Sequence, residues 1–213
     1  MIKIYTFNAA VLEDDTVFDQ YLKDASPFRR RKIESLRTRR DKNLSLGATI
    51  AIDLGLRDYG LRERDMEYDK NPYGKPYFKD YPEIYFNVSH SAATALAAFS
   101  NRPVGCDIEK MREANLKVAE RFFHAEEKKY ILSLTDPAPA FWRLWTLKES
   151  FLKALGTGMG VPMNSFRISL QGDRAEVFQT VDEHEYSFYE YTKDNYRIAV
   201  CETLQRGNRT FPL

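Results

Sequence analysis

The sequence predicts an α+β protein made of two similar halves, each a long helix packed on a small, mostly antiparallel sheet. Three observations carry this. Helical periods over 26–57 and 141–155 each contain a long apolar stretch. Each is followed by strand-like runs that close on an apolar one, TALAAFS at 94–100 and YRIAVCE at 196–202. The turn Asn101-Arg102-Pro103 falls near the midpoint, so the expected units are 1–103 and 104–213.

The elements follow in order. Residues 2–8 alternate as a strand does. Ser26-Pro27 supplies an N-cap and a first helical residue for 26–57, whose part 44–56 (LSLGATIAIDLGL) is apolar enough to be buried. Residues 65–68 read as a strand entering the turn Asn71-Pro72-Tyr73-Gly74-Lys75-Pro76. Strands are expected at 83–89, 93–100 and 104–109, then helices at 116–123 and 126–134 parted by His124-Ala125. Asp136-Pro137-Ala138-Pro139 breaks the chain before 141–155, and Gly156 stops that helix. The stretch 166–202 alternates apolar and polar residues, as antiparallel strands do.

Composition narrows the class. Of 213 residues 43% are hydrophobic and 30% charged, which excludes a disordered or collagenous chain. Lys and Arg number 32 against 31 Asp and Glu, a net charge of +1. That balance excludes a basic protein built for polyanions. No apolar run nears the ~20 residues of a membrane span. The start, MIKIYTFNAAVLEDD, lacks the pattern of a signal peptide, so a cytoplasmic protein with no membrane partner is expected. Cys106 and Cys201 are expected as reduced thiols, and three histidines with two cysteines make a structural zinc unexpected. Charge is nonetheless concentrated: 29–42 (RRRKIESLRTRRDK) carries eight basic residues and two acidic ones. A local +6 in a mildly acidic body suggests one anionic ligand met at one place.

Four segments hold residues suited to chemistry. In Gly105-Cys106-Asp107-Ile108-Glu109, strand alternation puts Asp107 and Glu109 on one face. Paired carboxylates repel unless a cation or a shared proton intervenes, and Mg²⁺ takes one or two carboxylates together with phosphate oxygens. The plainer alternative is a solvated strand end balanced by Lys110 and Arg112. In Trp145-Thr146-Leu147-Lys148-Glu149-Ser150-Phe151-Leu152-Lys153, Glu149 and Lys153 are helical neighbours four apart, with Lys148 on an adjacent face. As a surface pair they would contribute only ~0.3–0.5 kcal/mol. Their helix is apolar nearly all round, however, which points to burial with a purpose: a third metal ligand or general base at Glu149, and phosphate neutralisation at Lys153. Asn87-Val88-Ser89-His90-Ser91 offers hydroxyls, an imidazole and turn amides to a phosphate or ribose. Tyr73-Gly74-Lys75-Pro76 presents one lysine on a stiff turn. Gly156-Thr157-Gly158-Met159-Gly160 follows a helix rather than a strand and is no dinucleotide loop.

Together these segments resemble the phosphopantetheinyl transferases, in particular the single-chain, surfactin-synthetase-activating type. The paired signatures are Gly105–Glu109 and, about forty residues on, Trp145–Lys153; Asp41, Ser45-Leu46-Gly47, the YGKP turn, the NVSHS segment and Arg121-Phe122-Phe123 support them. The resemblance implies a pseudo-dimeric fold. It implies Mg²⁺-dependent transfer of phosphopantetheine from coenzyme A to a serine of an acyl or peptidyl carrier protein, with release of adenosine 3′,5′-bisphosphate. It places metal ligands at Asp107, Glu109 and Glu149. Coenzyme contacts fall at Arg29, Lys32, Lys75, Ser89, His90 (the 3′-phosphate), Lys148 and Lys153, and catalytic roles at Glu149 and Lys153. The serine's proton would go to Glu149 or to a metal-bound water. The chain departs from the family's arginine-rich pattern at Lys42-Asn43-Leu44. A carrier protein is expected to dock on 111–134, with Leu116, Phe122 and Phe123 as apolar contacts, on a monomeric enzyme. Two rivals make different demands. A non-catalytic RNA- or polyanion-binding protein would use 29–42, although that run lacks interleaved aromatics for base stacking. A metal-dependent pyrophosphatase or nucleotidyl transferase would need no protein acceptor.

Overall fold

The computed structural model of the chain describes residues 1–204; residues 205–213 of the expected second half lie outside the described residues. Two three-stranded antiparallel sheets organise it. The first contains β1 (Lys3–Asn8), β4 (Tyr85–Ser91) and β5 (Thr94–Ser100) in the order β1-β5-β4. The second contains β6 (Val104–Lys110), β9 (Glu185–Lys193) and β10 (Tyr196–Leu204) in the order β6-β10-β9. In both, the last and most apolar strand is central, and each sheet carries one 18-residue helix: α3 (Arg39–Leu56) on the first and α6 (Ala138–Leu155) on the second. The α+β architecture of paired similar units, expected from the repeated order of elements, is what the chain adopts.

Strand alternation builds the layers. On β5, Ala97 and Phe99 pack with Ala51, Ile52 and Leu56 of α3. Leu96 and Ala98 face the other way and meet Val104, Cys106, Ile108, Ile198 and Val200 of the second sheet. On β10, Ala199 and Cys201 turn toward α6 and join Phe141, Leu144, Leu147 and Phe151. The sheets thus pack face to face between the two long helices. Both cysteines are buried and free, and burial pushes Cys106 up to about 12, an inert thiol.

Several elements differ from expectation. The single helical period at 26–57 is two helices, α2 (Pro27–Ser35) and α3. Leu36 is extended, and the Thr38 hydroxyl accepts the Asp41 N–H to restart the helix. A helix at Asp15–Lys23 (α1) went unforeseen; Asp14 caps it by accepting from Thr16 and Val17. Of the run 65–68, Asp65 closes a 3₁₀ turn (Glu63–Asp65), 66–67 lie outside regular structure, and the strand begins at Tyr68 (β2, Tyr68–Lys70), pairing with β3 (Pro76–Phe78). Helices α4 (Leu116–Phe122) and α5 (Ala125–Leu132) stand where 116–134 placed them. The stretch 166–202 is antiparallel, with β7 (Arg167–Gln171) and β8 (Arg174–Phe178) as a separate hairpin. Gly156 ends α6 at φ +70, and a Cβ there would meet Asn71 and Lys75.

Candidate active site

The edges of the two sheets meet at β4 and β6 through side chains rather than a ladder. Asn87 Oδ1 accepts the Cys106 N–H at 2.9 Å, and Ser91 Oγ accepts the Lys110 N–H at 3.1 Å. Gly105 lets α6 lie directly on this seam. A Cβ at Gly105 would stand 2.1 Å from the Ser150 carbonyl oxygen and 2.2 Å from the Ala154 nitrogen. Because alternate strand residues share a side, Asp107 and Glu109 face the same helix.

What α6 presents to them is Glu149 and, one turn on, Lys153. The Lys153 ammonium donates to Asp107 Oδ1 at 2.7 Å and to Ser89 Oγ at 3.1 Å. Ser89 in turn donates to the same Asp107 oxygen at 2.8 Å. Asp107 Oδ2 is buried and has no hydrogen-bond partner. Glu109 accepts from the Ser91 hydroxyl at 2.6 Å. Desolvation pushes both Glu109 and Glu149 above the usual carboxylate range. The Asp107 charge adds to the rise at both, and Glu109 adds to that at Glu149. Burial pulls Lys153 down, but Asp107 and its neighbours outweigh it and hold the ammonium charged. Three carboxylates and one lysine thus share one electrostatic unit. Among the described residues no three His, Cys, Asp or Glu side chains close around a metal-sized space as they stand.

Around this unit lies a polar cavity of about 600 Å³, lined also by Arg29, Lys32, Asp41 and His90. Desolvation, joined by the Lys153 and Lys32 charges, holds the His90 imidazole below its usual range, so it stands neutral at pH 7. A second cavity of about 780 Å³ shares Arg29, Lys32, Glu149 and Lys153 with it and continues over an apolar floor that includes Phe122, Leu152 and Met163. A third, of about 610 Å³, runs from Glu109 past Leu116 to Phe141 and Trp142. Trp145 borders all three.

The expected residues therefore divide. Asp107, Glu109, Glu149, Lys153, Ser89, His90 and Lys32 converge on the polar cavity. Arg29 also lines it, but as a buried group whose guanidinium donates to Thr49 Oγ1 at 2.9 Å and the Ser45 carbonyl at 3.0 Å. Lys75 lines the apolar cavity while its ammonium donates to the Val104 carbonyl at 2.8 Å and the Lys153 carbonyl at 2.6 Å. Lys148 is a correction. It was expected among the phosphate contacts, but its side chain has 0% exposure and is paired with Glu127. Adjacent helical residues point about 100° apart, so a helix that aims Glu149 at the cleft turns Lys148 into the core. The +6 run is likewise distributed: Arg30 donates to the Lys23 carbonyl, and Arg39 to the Leu12 carbonyl while pairing with Asp15. Asn43 and Leu44 are buried, Asn43 donating to Glu13. Sequence reasoning missed two participants. Trp145 opens the second signature without an assigned role, and Glu127 has none at all although His124-Ala125-Glu126-Glu127 has the spacing of a capping box.

The family model of the 4′-phosphopantetheinyl transferase superfamily matches residues 103–201. The 4′-phosphopantetheinyl transferase Sfp of Bacillus subtilis is 32% identical over 188 residues, covering 86% of this chain and 84% of that protein. A second Bacillus subtilis relative, the 4′-phosphopantetheinyl transferase ffp, is 36% identical over 160 residues, 73% of this chain and 71% of the relative. A holo-(acyl-carrier-protein) synthase of Thermotoga maritima superposes on 49% of this chain and 64% of its own, at 24% identity and a TM-score of 0.42. The chain belongs to the 4′-phosphopantetheinyl transferase family. It is a transferase of the Sfp-like, single-chain kind.

Proposed function

We propose that the enzyme moves the 4′-phosphopantetheine arm of coenzyme A to a serine of an acyl or peptidyl carrier protein, with Mg²⁺, and releases adenosine 3′,5′-bisphosphate. One observation carries the residue assignment: three carboxylates and Lys153 line the same cavity as Arg29, Lys32 and His90. Coenzyme A has a pyrophosphate for the first group and a 3′-phosphate for the second.

The donor set suits Mg²⁺. Its ligands are hard oxygens, and Asp107 Oδ2 is a buried acceptor with nothing to accept. Asp107, Glu109 and Glu149 would hold the ion, which when bound neutralises charge on the pyrophosphate. The remaining work falls to side chains. Lys32 and His90 bind the 3′-phosphate, and Arg29 lends its buried charge from behind. Lys153, already charged beside Asp107, stabilises the departing bisphosphate. The serine oxygen bonds to the pantetheine-side phosphorus as the bond to the bridging oxygen breaks. Glu149 accepts the serine proton through an oxygen free of the metal, and desolvation has already raised its proton affinity.

The carrier protein docks on 111–134, beside the third cavity. Of the apolar residues expected to meet it, Leu116 is 43% exposed whereas Phe123 is a core residue at 1%. Phe122 is half-buried against Trp145. Division at 103/104, a monomeric state, a cytoplasmic location and the lack of a nucleic-acid or membrane partner belong to the same reading. No described helix is long and apolar enough to cross a membrane. The test is direct. An apo carrier protein incubated with the enzyme, coenzyme A and Mg²⁺ gains the mass of one phosphopantetheine on its serine. No gain with carriers of fatty-acid, polyketide and peptide pathways alike would overturn the reading.

A further inference from the structure

The side of α6 turned away from the cleft holds an ion pair that the reaction does not use. The Lys148 and Glu127 side chains have 0% and 2% exposure, and the ammonium lies 2.8 Å from either carboxylate oxygen. It also donates to the Phe166 carbonyl at 2.9 Å and stands 4.2 Å over the Phe166 ring. The carboxylate accepts two further bonds, from the Ile168 N–H at 2.6 Å and the His124 N–H at 2.8 Å. One pair therefore joins the cap of α5, the middle of α6, and the start of β7.

Stability is a poor reason for such a pair, since well-packed apolar residues of the same volume often do as well or better. Geometry is a better one. The core side of α6 is otherwise mostly Phe, Leu, Trp and Ala, whose contacts are non-directional, and Arg143 ties only the early part of the helix to Glu190 and the Gly172 carbonyl. Thr146 and Ser150, its buried hydroxyls, bond only within the helix. Trp142 ties the first turns to the Arg112 carbonyl. In the two turns that carry Glu149, Lys148 makes the directional side-chain bonds on the core side. Its neighbour in sequence is Glu149 itself, so a rotation of α6 moves both residues together.

We propose that Lys148 and Glu127 are positioning residues that set the rotation of α6, and with it the place of Glu149 and Lys153 in the cleft. Neither touches substrate. Glu127 also sits within the segment 111–134, so the joint fixes the catalytic helix relative to the carrier-docking surface. The kinetic consequence rests on the function proposed above; the structural one does not.

Both tryptophans of the chain, Trp142 and Trp145, lie on α6. Intrinsic fluorescence therefore reports on this helix independently of any activity. The variant Glu127→Gln with Lys148→Met removes both charges at similar volume. We expect a cooperative thermal transition, red-shifted tryptophan emission and stronger acrylamide quenching. We also expect kcat to fall about 10- to 100-fold, the scale of a small misplacement of catalytic groups. The Kd for coenzyme A should change less than kcat does, because Lys32 and His90, proposed for the 3′-phosphate, do not lie on α6. A folded variant with parental quenching overturns the proposal, whatever its activity. Parental kcat in a folded variant also overturns it. If the double variant does not fold, Glu127→Gln alone decides, since it exchanges one of the two accepting oxygens for an amide NH₂ and so weakens the pair; parental quenching there refutes the positioning role. A parent enzyme that transfers nothing would count against the proposed function and leave the fluorescence result to judge the joint.

Discussion

At the scale of single residues, the site is a balance between burial and charge. Asp107 gives one oxygen to Ser89 and Lys153 and leaves the other unpartnered, so its charge is only part-neutralised by the protein. Asp107→Asn keeps the shape and both hydrogen bonds but removes that charge. We expect near-parental circular dichroism and a severe loss of transfer. Glu149→Gln loses the proton acceptor, and kcat should drop about 10²- to 10⁴-fold. Near-normal transfer by both variants would refute the assignment. His90 allows a test of a different kind. Its free imidazole is held below the usual range by desolvation and two lysines, and a phosphate placed beside it raises it again. A group whose proton affinity rises on binding takes up a proton. Coenzyme A should therefore bind more tightly as pH falls through the region between the two values. Calorimetry in buffers of different ionisation enthalpy would show proton uptake near neutrality. His90→Ala should abolish it and raise the KM for coenzyme A far more than that for dephospho-coenzyme A.

At the scale of elements, function depends on how closely α6 lies on β6. Gly105 is the point of contact, and a methyl group there would collide with backbone atoms of Ser150 and Ala154, which no side-chain rotation relieves. Gly105→Ala should cost about 3 kcal/mol by overpacking, read from urea denaturation. It should also lower kcat in the molecules that fold, because Glu149 and Lys153 move away from Asp107. The pair α4 and α5 tests the acceptor. Leu116 starts α4, and its substitution disturbs no core contact. Leu116→Asp should raise the KM for the carrier protein and leave coenzyme A affinity by calorimetry unchanged. An unaltered carrier KM would place docking elsewhere.

At the scale of the whole molecule, the cleft exists because the β2–β3 turn is fastened to the end of α6. Lys75 donates to the Val104 and Lys153 carbonyls, and Asn71 donates to the Gly156 carbonyl at 2.8 Å. The bonds to the Lys153 and Gly156 carbonyls satisfy groups that the end of a helix leaves open. Losing the lysine should destabilise the fold by about 1.5–3 kcal/mol, the range for bonds to a charged group. Burial draws Lys75 down to about 8 from 10.5. The folded chain thus sheds this proton before the unfolded chain does, and stability rises with pH from about 8 upward. Lys148, drawn to about 8 by the same cause, adds to the rise. The thiols oppose it above about 9, where unfolded cysteine ionises. Denaturation midpoints between pH about 7.5 and about 8.5 should therefore climb for the parent and climb less for Lys75→Met. Equal slopes would mean that Lys75 is not buried as a cation.

By itself the sequence determined the periodicities, the repeated order of strand and helix, and the chemistry of one face of each motif. Period-two alternation places Asp107 with Glu109, and a spacing of four places Glu149 with Lys153; both follow from backbone geometry alone. The family followed from the order of those motifs. Tertiary structure alone decided which charges reach the cleft. Arg29, Lys75 and Lys148 are cations in the sequence like Lys32 and Lys153. Whether such a cation meets a ligand or a carbonyl depends on what packs against it from segments far along the chain. For Lys148 that is Glu127 and Phe166; for Lys75 it is Val104 and Lys153. No local pattern encodes those partners, because burial and long-range hydrogen bonding arise only when the elements are assembled.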